Sequence, residues 1–164
     1  MGMGTGEGAF EDRARLMAEE ERGWRELMAL VEELSPADAV RPGYFEEGWS
    51  AKDALAHVGT WLAEAGVAIQ RISSGTYRRE ELDIDALNAA FYEAMTDVPP
   101  AGVRTQAVAA RSRMLHEWGT LASPSPEADW WVRKSGPDHY AEHVPRLRSW
   151  VEELRNGSDG KRKG

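Results

Sequence analysis

The stretch WSAKDALAHVGTWLAEAGVAIQRISSG, residues 49–75, predicts the class of fold. Its apolar residues recur every three or four positions, which is the spacing of one face of an α-helix. They are Leu55, Val58, Leu62, Ala65 and Ile69. Ser50 is a good N-cap, and Asp53 places negative charge in the first turn, where it is favoured. We therefore expect an amphipathic helix from Ser50 to about Ser73.

Other segments show the same helical period on both sides of this one. We predict long helices over about 11–34, 103–121 and 138–155, and a shorter one over 84–95. SPADAVRPGYFEEGW is expected to break the first helix, because proline and glycine are poor helix interior residues. SPSPEADWWVRKSGP is predicted to be a loop or a short irregular segment, and DWWVRK within it is the only candidate strand. One strand cannot make a sheet, so the sequence predicts an all-α four-helix bundle with one additional short helix.

Size and composition limit the function. A chain of 164 residues fits one domain, predicted over 10–156 between a flexible lead (1–9) and a disordered basic tail (157–164), with Gly157 ending the last helix. The net charge of −8 argues against nucleic acid as a partner. The sequence has no apolar run long enough to cross a membrane. It also has no cysteine, which excludes disulfides and thiolate metal ligands. A cytoplasmic location is compatible with these features.

Three of the four histidines form a pattern that metal sites use. His139 and His143 are one helical turn apart, so both imidazoles can reach one ion. Alone, such a pair is compatible with two solvated histidines. His57, which flanks the apolar stripe of another helix, would complete a three-histidine site with positions left open for water or substrate. Zn²⁺, Ni²⁺, Co²⁺ and Fe²⁺ all fit such donors, and His116 is predicted to be a surface residue.

Pro145 complicates the last helix. Inside a helix, proline removes one backbone hydrogen bond and clashes with the preceding turn. One interpretation is a kinked helix that continues through Pro145 and leaves the carbonyl of Ala141 free. The other is a new helix that begins at Pro145. The apolar residues Tyr140, Val144, Leu147, Val151 and Leu154 stay in phase across the proline, which favours the first interpretation.

GWSAKDALAHVGTW, residues 48–61, resembles the second-helix signature of the DinB-like superfamily. These four-helix bundles include mycothiol- and bacillithiol-linked transferases and maleylpyruvate isomerases. Members carry one histidine on that helix and an H-x3-H pair on the last, and His57, His139 and His143 match those positions. DIDALNAAFYEA (83–94), RSRML (111–115) and HYAEHVPRL (139–147) resemble the ClbS/DfsB-type branch. The resemblance covers about residues 10–155, and Pro145 departs from the pattern.

The resemblance implies a metal-binding bundle, often a homodimer, that acts on or sequesters a reactive small molecule. Thiol transfer, isomerisation and hydrolysis of an electrophile are the implied reactions, with a low-molecular-weight thiol as an optional cofactor and Zn or Ni as the preferred metal. Detoxification or self-resistance would be the role. Relatives that work without metal leave metal dependence open.

Several side chains are candidates for the site. Glu142 and Tyr140 are the catalytic candidates, and Glu142 is equally compatible with a solvated glutamate. The candidates for substrate binding are Trp49, Trp61, Asn88 and Tyr92. Three hypotheses follow: a metal-dependent transferase or hydrolase, a non-catalytic protein that binds a small molecule, and a helical scaffold without chemistry. For each aromatic candidate, ordinary core packing is the competing interpretation.

Overall fold

A computed structural model describes residues 4–45 and 48–162, and within these ranges the regular structure is entirely helical. The helices are α1 (Gly4–Glu32), α2 (Pro36–Ala39), α3 (Ala51–Ser73), α4 (Ile84–Met95), α5 (Pro100–Gly119), α6 (Pro126–Ser135) and α7 (Pro137–Arg162). The four long helices α1, α3, α5 and α7 form the bundle. The predicted all-α fold with an additional short helix is confirmed.

Helix α3 lies at the centre of the bundle and contacts α4, α5, α6 and α7. It begins with a capping box, in which Ser50 and Asp53 satisfy each other's backbone N–H groups. Gly59 brings α3 against α5, because a Cβ atom there would lie 3.0 Å from the Cα of Ala107. The predicted stripe is fully buried, with Leu62, Ala65 and Ile69 each 0% exposed. The helix that carries His57 is therefore held firmly on several sides.

Helix α6 corrects the sequence prediction for residues 126–135, which form neither a loop nor a strand. Pro126 starts the helix, and the Ser125 hydroxyl accepts a hydrogen bond from the backbone N–H of Ala128. Ala128 and Val132 face the core, whereas Trp130 is 47% exposed. The short segment predicted to break α1 likewise contains the one-turn helix α2.

The helix ends also differ from prediction. Helix α1 begins at Gly4, and α7 continues through Gly157 to Arg162, so the predicted stop at Gly157 is wrong. A single glycine costs a helix only about 1 kcal/mol, which is too little to end it without a competing cap. Helix α7 also runs through Pro145 as one helix, so a new start at that proline is excluded. Residues 1–3, 163 and 164 of the predicted lead and tail lie outside the described residues.

Helix α4 has no buried residue. It packs against Trp61 of α3, whose ring meets that of Phe91 edge-on and whose Nε1 donates a hydrogen bond to Asn88, both on α4. The buried Lys52 of α3 donates to two carbonyls at the end of α4. Among the described helices, none combines the length and apolarity that crossing a membrane requires.

Candidate metal centre

Helices α3 and α7 bring three histidines into one cluster. The ring centroids of His57 and His139 are 4.8 Å apart, those of His57 and His143 are 5.4 Å apart, and those of His139 and His143 are 4.9 Å apart. Each ring offers one nitrogen, and the three nitrogens lie within 4.8 Å of one another. The structure thus places the three predicted ligands together, although 82 positions separate His57 from His139 (139 − 57).

Burial keeps all three rings unprotonated. His139 and His143 are each 8% exposed, and His57 is partly buried. Burial lowers the pKa of His57 to about 4, with a contribution from the nearby His143. Burial lowers the pKa of His143 to about 4 and, together with its two neighbours, that of His139 to about 3. At neutral pH each ring therefore has a free lone pair, which is the form that binds metals.

The nitrogen atoms of the cluster fit a divalent ion. The Nδ1 atoms of His57 and His143 are buried without a hydrogen-bond partner among the described protein atoms. His139, in contrast, forms a hydrogen bond with the backbone of Ser135. Buried nitrogens without partners are costly, and a metal ion would satisfy them. Bonds of about 2.0–2.1 Å to one ion require the nitrogens to lie about 3–4 Å apart, so small ring movements suffice. Three nitrogen donors suit Zn²⁺ or Ni²⁺.

A cavity of about 270 Å³ opens beside the cluster. His57 and His139 line it, whereas His143 lies on the interior side, near Tyr44. The remaining lining residues are Trp61, Leu82, Ile84, Asn88, Trp130, Trp131, Lys134, Ser135 and Glu142. A molecule would therefore approach the cluster from the side of His57 and His139, between α4, α6 and α7.

The four predicted substrate-binding residues divide into two pairs. Trp61 and Asn88 line the cavity, and the Nε1 of Trp61 donates to the Oδ1 of Asn88 at 2.9 Å. Trp49 lies outside the cavity lining; its ring packs edge-on against His57 with centroids 5.6 Å apart, and it stacks on Tyr92 at 5.4 Å. This second pair therefore supports the His57 ring from the α3–α4 side.

The two predicted catalytic residues lie on different faces of α7. Glu142 is exposed and lines the cavity. Tyr140 is fully buried, and its hydroxyl donates to Glu20 of α1 at 2.9 Å. Burial raises the pKa of Tyr140 well above its ordinary value. Residues i and i+1 of a helix point about 100° apart, so Tyr140 faces the core while His139 faces the cluster, and the structure does not bring Tyr140 to the cavity beside the histidines.

Four lining residues of α6, namely Trp130, Trp131, Lys134 and Ser135, were absent from the sequence prediction. Trp130, Trp131 and Val132 are of residue types that are common in strands, so side-chain preference alone predicts a strand here. The signal that identifies the helix is the start motif, Ser125 before Pro126, followed by acidic residues in the first turn. His116 is exposed on α5, as predicted.

Comparison with known proteins bears on the fold. No family model matches the chain, and no curated protein matches it. The crystal structure of an uncharacterised protein from Escherichia coli UTI89 superposes with a TM-score of 0.71, covering 87% of this chain and 94% of that chain at 14% identity. At this identity the likeness concerns the helical arrangement alone.

Proposed function

We propose that this protein is a metal-dependent enzyme of the DinB-like superfamily, close to its ClbS/DfsB-type branch. The observation that carries the proposal is the convergence of three buried, unprotonated histidines from two helices beside an open cavity. His57, His139 and His143 would hold one divalent ion, Zn or Ni being the best match. An ion with three imidazole ligands keeps a position for another ligand and supplies Lewis acidity, which activates water or polarises a carbonyl.

The cavity residues suggest how the chain handles a substrate. Glu142 shares the cavity with His57 and His139, and its exposed carboxylate is the candidate general base. Asn88 accepts the Trp61 indole hydrogen at Oδ1, which fixes its amide oxygen and leaves its amide nitrogen to donate to a bound molecule. Indole rings supply most of the apolar wall. The substrate would be a small reactive molecule with apolar surface.

The proposed reaction classes are thiol transfer, isomerisation, and hydrolysis of an electrophile, with a low-molecular-weight thiol as co-substrate in the first. Detoxification or self-resistance in the cytoplasm, by a homodimer, would suit such chemistry. Nucleic acid is not a proposed partner, because a chain with a net charge of −8 repels phosphates.

A second candidate function is sequestration without turnover. The tryptophans Trp61, Trp130 and Trp131 that line the cavity favour it, because indoles bind flat apolar molecules without further machinery. In this alternative the histidines would help to hold the ligand. The two candidates share a site and differ in whether the ligand is converted.

Metal titration tests the proposal. Untagged protein, stripped with chelator, should take up one Zn²⁺ or Ni²⁺ per chain in calorimetry, and its melting temperature should rise, since an ion at 1,000 times its Kd adds about 4 kcal/mol. His57→Ala should weaken binding by at least the roughly 10–100-fold that is typical of losing a residue which only supports a metal ligand, because it removes a ligand itself. His116→Ala, at an exposed position of α5, is the matched control and should bind as wild type.

The metal proposal fails if the wild type takes up no stoichiometric ion, or if the two histidine variants bind alike. Catalysis is tested separately. The metal-loaded protein is incubated with an electrophile such as an epoxide or a cyclopropyl ketone, with and without thiol, and the products are followed by mass spectrometry. A converted product that Glu142→Gln slows supports the enzyme, whereas recovery of the intact compound from a stable complex supports sequestration.

A further inference from the structure

A second cavity of about 400 Å³ adjoins the one beside the histidines. Leu82, Trp130 and Trp131 line both cavities, so the two lie side by side along a shared wall, and together they are called the groove. The second cavity extends along the start of α6 and the segment before α4, where Tyr77 closes it. The groove therefore has a histidine end and a distal end.

Exposed apolar side chains concentrate along this groove. Leu82 is 39% exposed, Ile84 is 46% exposed and Trp130 is 47% exposed, and all three line the first cavity. Large apolar side chains that cluster in contact with water usually mark a binding surface. The shared wall is also rigid. Trp131 is 8% exposed, its Nε1 donates to the Tyr77 hydroxyl at 3.1 Å, and its ring meets that of Trp130 at 85°.

The distal cavity is lined by two acidic residues and one basic residue, so charges of both signs are present. Arg79, Glu80 and Glu127 line it together, so a cation and an anion would each meet a like charge. The feature that both cavities share is the indole wall. An uncharged, flat group gains from stacking on an indole without losing a hydration shell.

We propose that the groove binds an elongated molecule whose reactive end lies at the histidines and whose flat, uncharged tail passes over Trp130 into the distal cavity. The placement of the reactive end rests on the proposed function, whereas the tail site rests on the groove alone. Short electrophiles would bind weakly, because they leave the distal cavity without a ligand. The substrate class is therefore extended molecules with an aromatic or conjugated segment remote from the reacting atoms.

Hydroxamates test the reach of the groove, because their head group binds metal ions. The series is benzohydroxamate, 4-phenylbenzohydroxamate and 4-(4-phenylbutoxy)benzohydroxamate, titrated into Zn²⁺-loaded protein by equilibrium dialysis, which does not depend on tryptophan signals. We expect at least one longer member to bind about tenfold or more tightly than benzohydroxamate, the effect of burying one phenyl ring. Trp130→Ala should remove this gain, so that it weakens binding of the longer members more than binding of benzohydroxamate. Val108→Ala, a 44% exposed residue on α5, is the control and should keep the gain.

A metal-free arm separates this proposal from the metal proposal. 4-Phenylbenzyl alcohol lacks a metal-binding head, so wild type should bind it in the presence of chelator, and Trp130→Ala should not bind it. If the hydroxamates fail to bind but this alcohol binds through Trp130, the metal centre is wrong and the tail site stands. The tail site is overturned if the longer hydroxamates bind no more tightly than benzohydroxamate, or if Trp130→Ala keeps their gain in affinity. It is also overturned if wild type does not bind the alcohol.

Discussion

Replacing Glu20 by glutamine should destabilise the fold by about 3 kcal/mol, because a buried ion pair loses one partner. The Glu20 carboxylate is 0% exposed and accepts from the Nε and Nη2 of Arg111 at 2.8 and 2.6 Å, and from the Tyr140 hydroxyl at 2.9 Å. Breaking such a pair typically costs about 3–5 kcal/mol. The Arg111 side chain is 20% exposed and keeps some hydration, which favours the lower end.

The neighbouring Glu19 provides the control. Its carboxylate pairs with Arg133 at 2.9 Å, but the two side chains are 30% and 43% exposed. Glu19→Gln should therefore cost less than about 1 kcal/mol. Both variants are compared with wild type by urea unfolding at pH 7 in chelator, followed by circular dichroism. Equal midpoints for the two variants would refute the assignment of Glu20 as a buried charge that holds α1, α5 and α7 together.

A double-mutant cycle tests whether Tyr140 belongs to the same network. Tyr140→Phe removes one hydrogen bond to a charged group and should cost about 1.5–2 kcal/mol in the wild-type background. In the Glu20→Gln background it should cost about 1 kcal/mol less, because the charged acceptor is already gone. Additive effects would show that the hydroxyl and the carboxylate act independently.

Three further outcomes follow. As the pH falls from 7 to 4, the metal-free protein should lose stability, because burial lowers the pKa of His57 to about 4 from 6.5 and the unfolded state binds more protons between these values. His57→Ala should make the melting temperature depend less steeply on pH between 7 and 4, and an unchanged slope would contradict the reasoning. Gly59→Ala should cost about 1–3 kcal/mol in urea unfolding, because its Cβ meets Ala107 at 3.0 Å, whereas Gly119→Ala, with nothing within 4 Å, should not destabilise. Lys52→Met should speed amide exchange in α4 about tenfold by mass spectrometry, since two carbonyls there lose a donor; protection equal to wild type would show that the lysine does not anchor the helix.

Periodicity predicted the elements that carry the histidines. The start and the buried face of helix α3 were predicted correctly, because a capping box marks the start and a long apolar stripe marks the face. The convergence of His57 with the α7 pair followed from their flanking positions, since a residue beside the buried stripe of a bundle helix faces a neighbouring helix. Helix α6 was missed because it has only ten residues, too few for a clear period, and adjacent Trp130 and Trp131 favour a strand by preference alone.

Burial of Glu20 could not be predicted from local sequence. Glu19, Glu20 and Glu21 are chemically alike and adjacent, and the one that is buried is determined by Arg111, 91 positions away. The buried position of Tyr140 could not be predicted locally for a related reason. Tyr140 follows His139 in the sequence, but neighbouring side chains of a helix diverge by about 100° and therefore contact different parts of the protein.

The histidine cluster is best explained as a site whose local cost is tolerated for function. Each buried nitrogen without a partner costs about 1–3 kcal/mol, and the Nδ1 atoms of His57 and His143 both lack one among the described residues. Apolar residues would pack the same space at lower cost, as Leu62 does one turn further along α3. Glu20 and Tyr140 are each 0% exposed, but they and Arg111 satisfy one another. Buried polar groups that satisfy one another can be explained by stability alone, whereas the unsatisfied nitrogens of His57 and His143, whose rings face one another, support the proposal of a bound ligand.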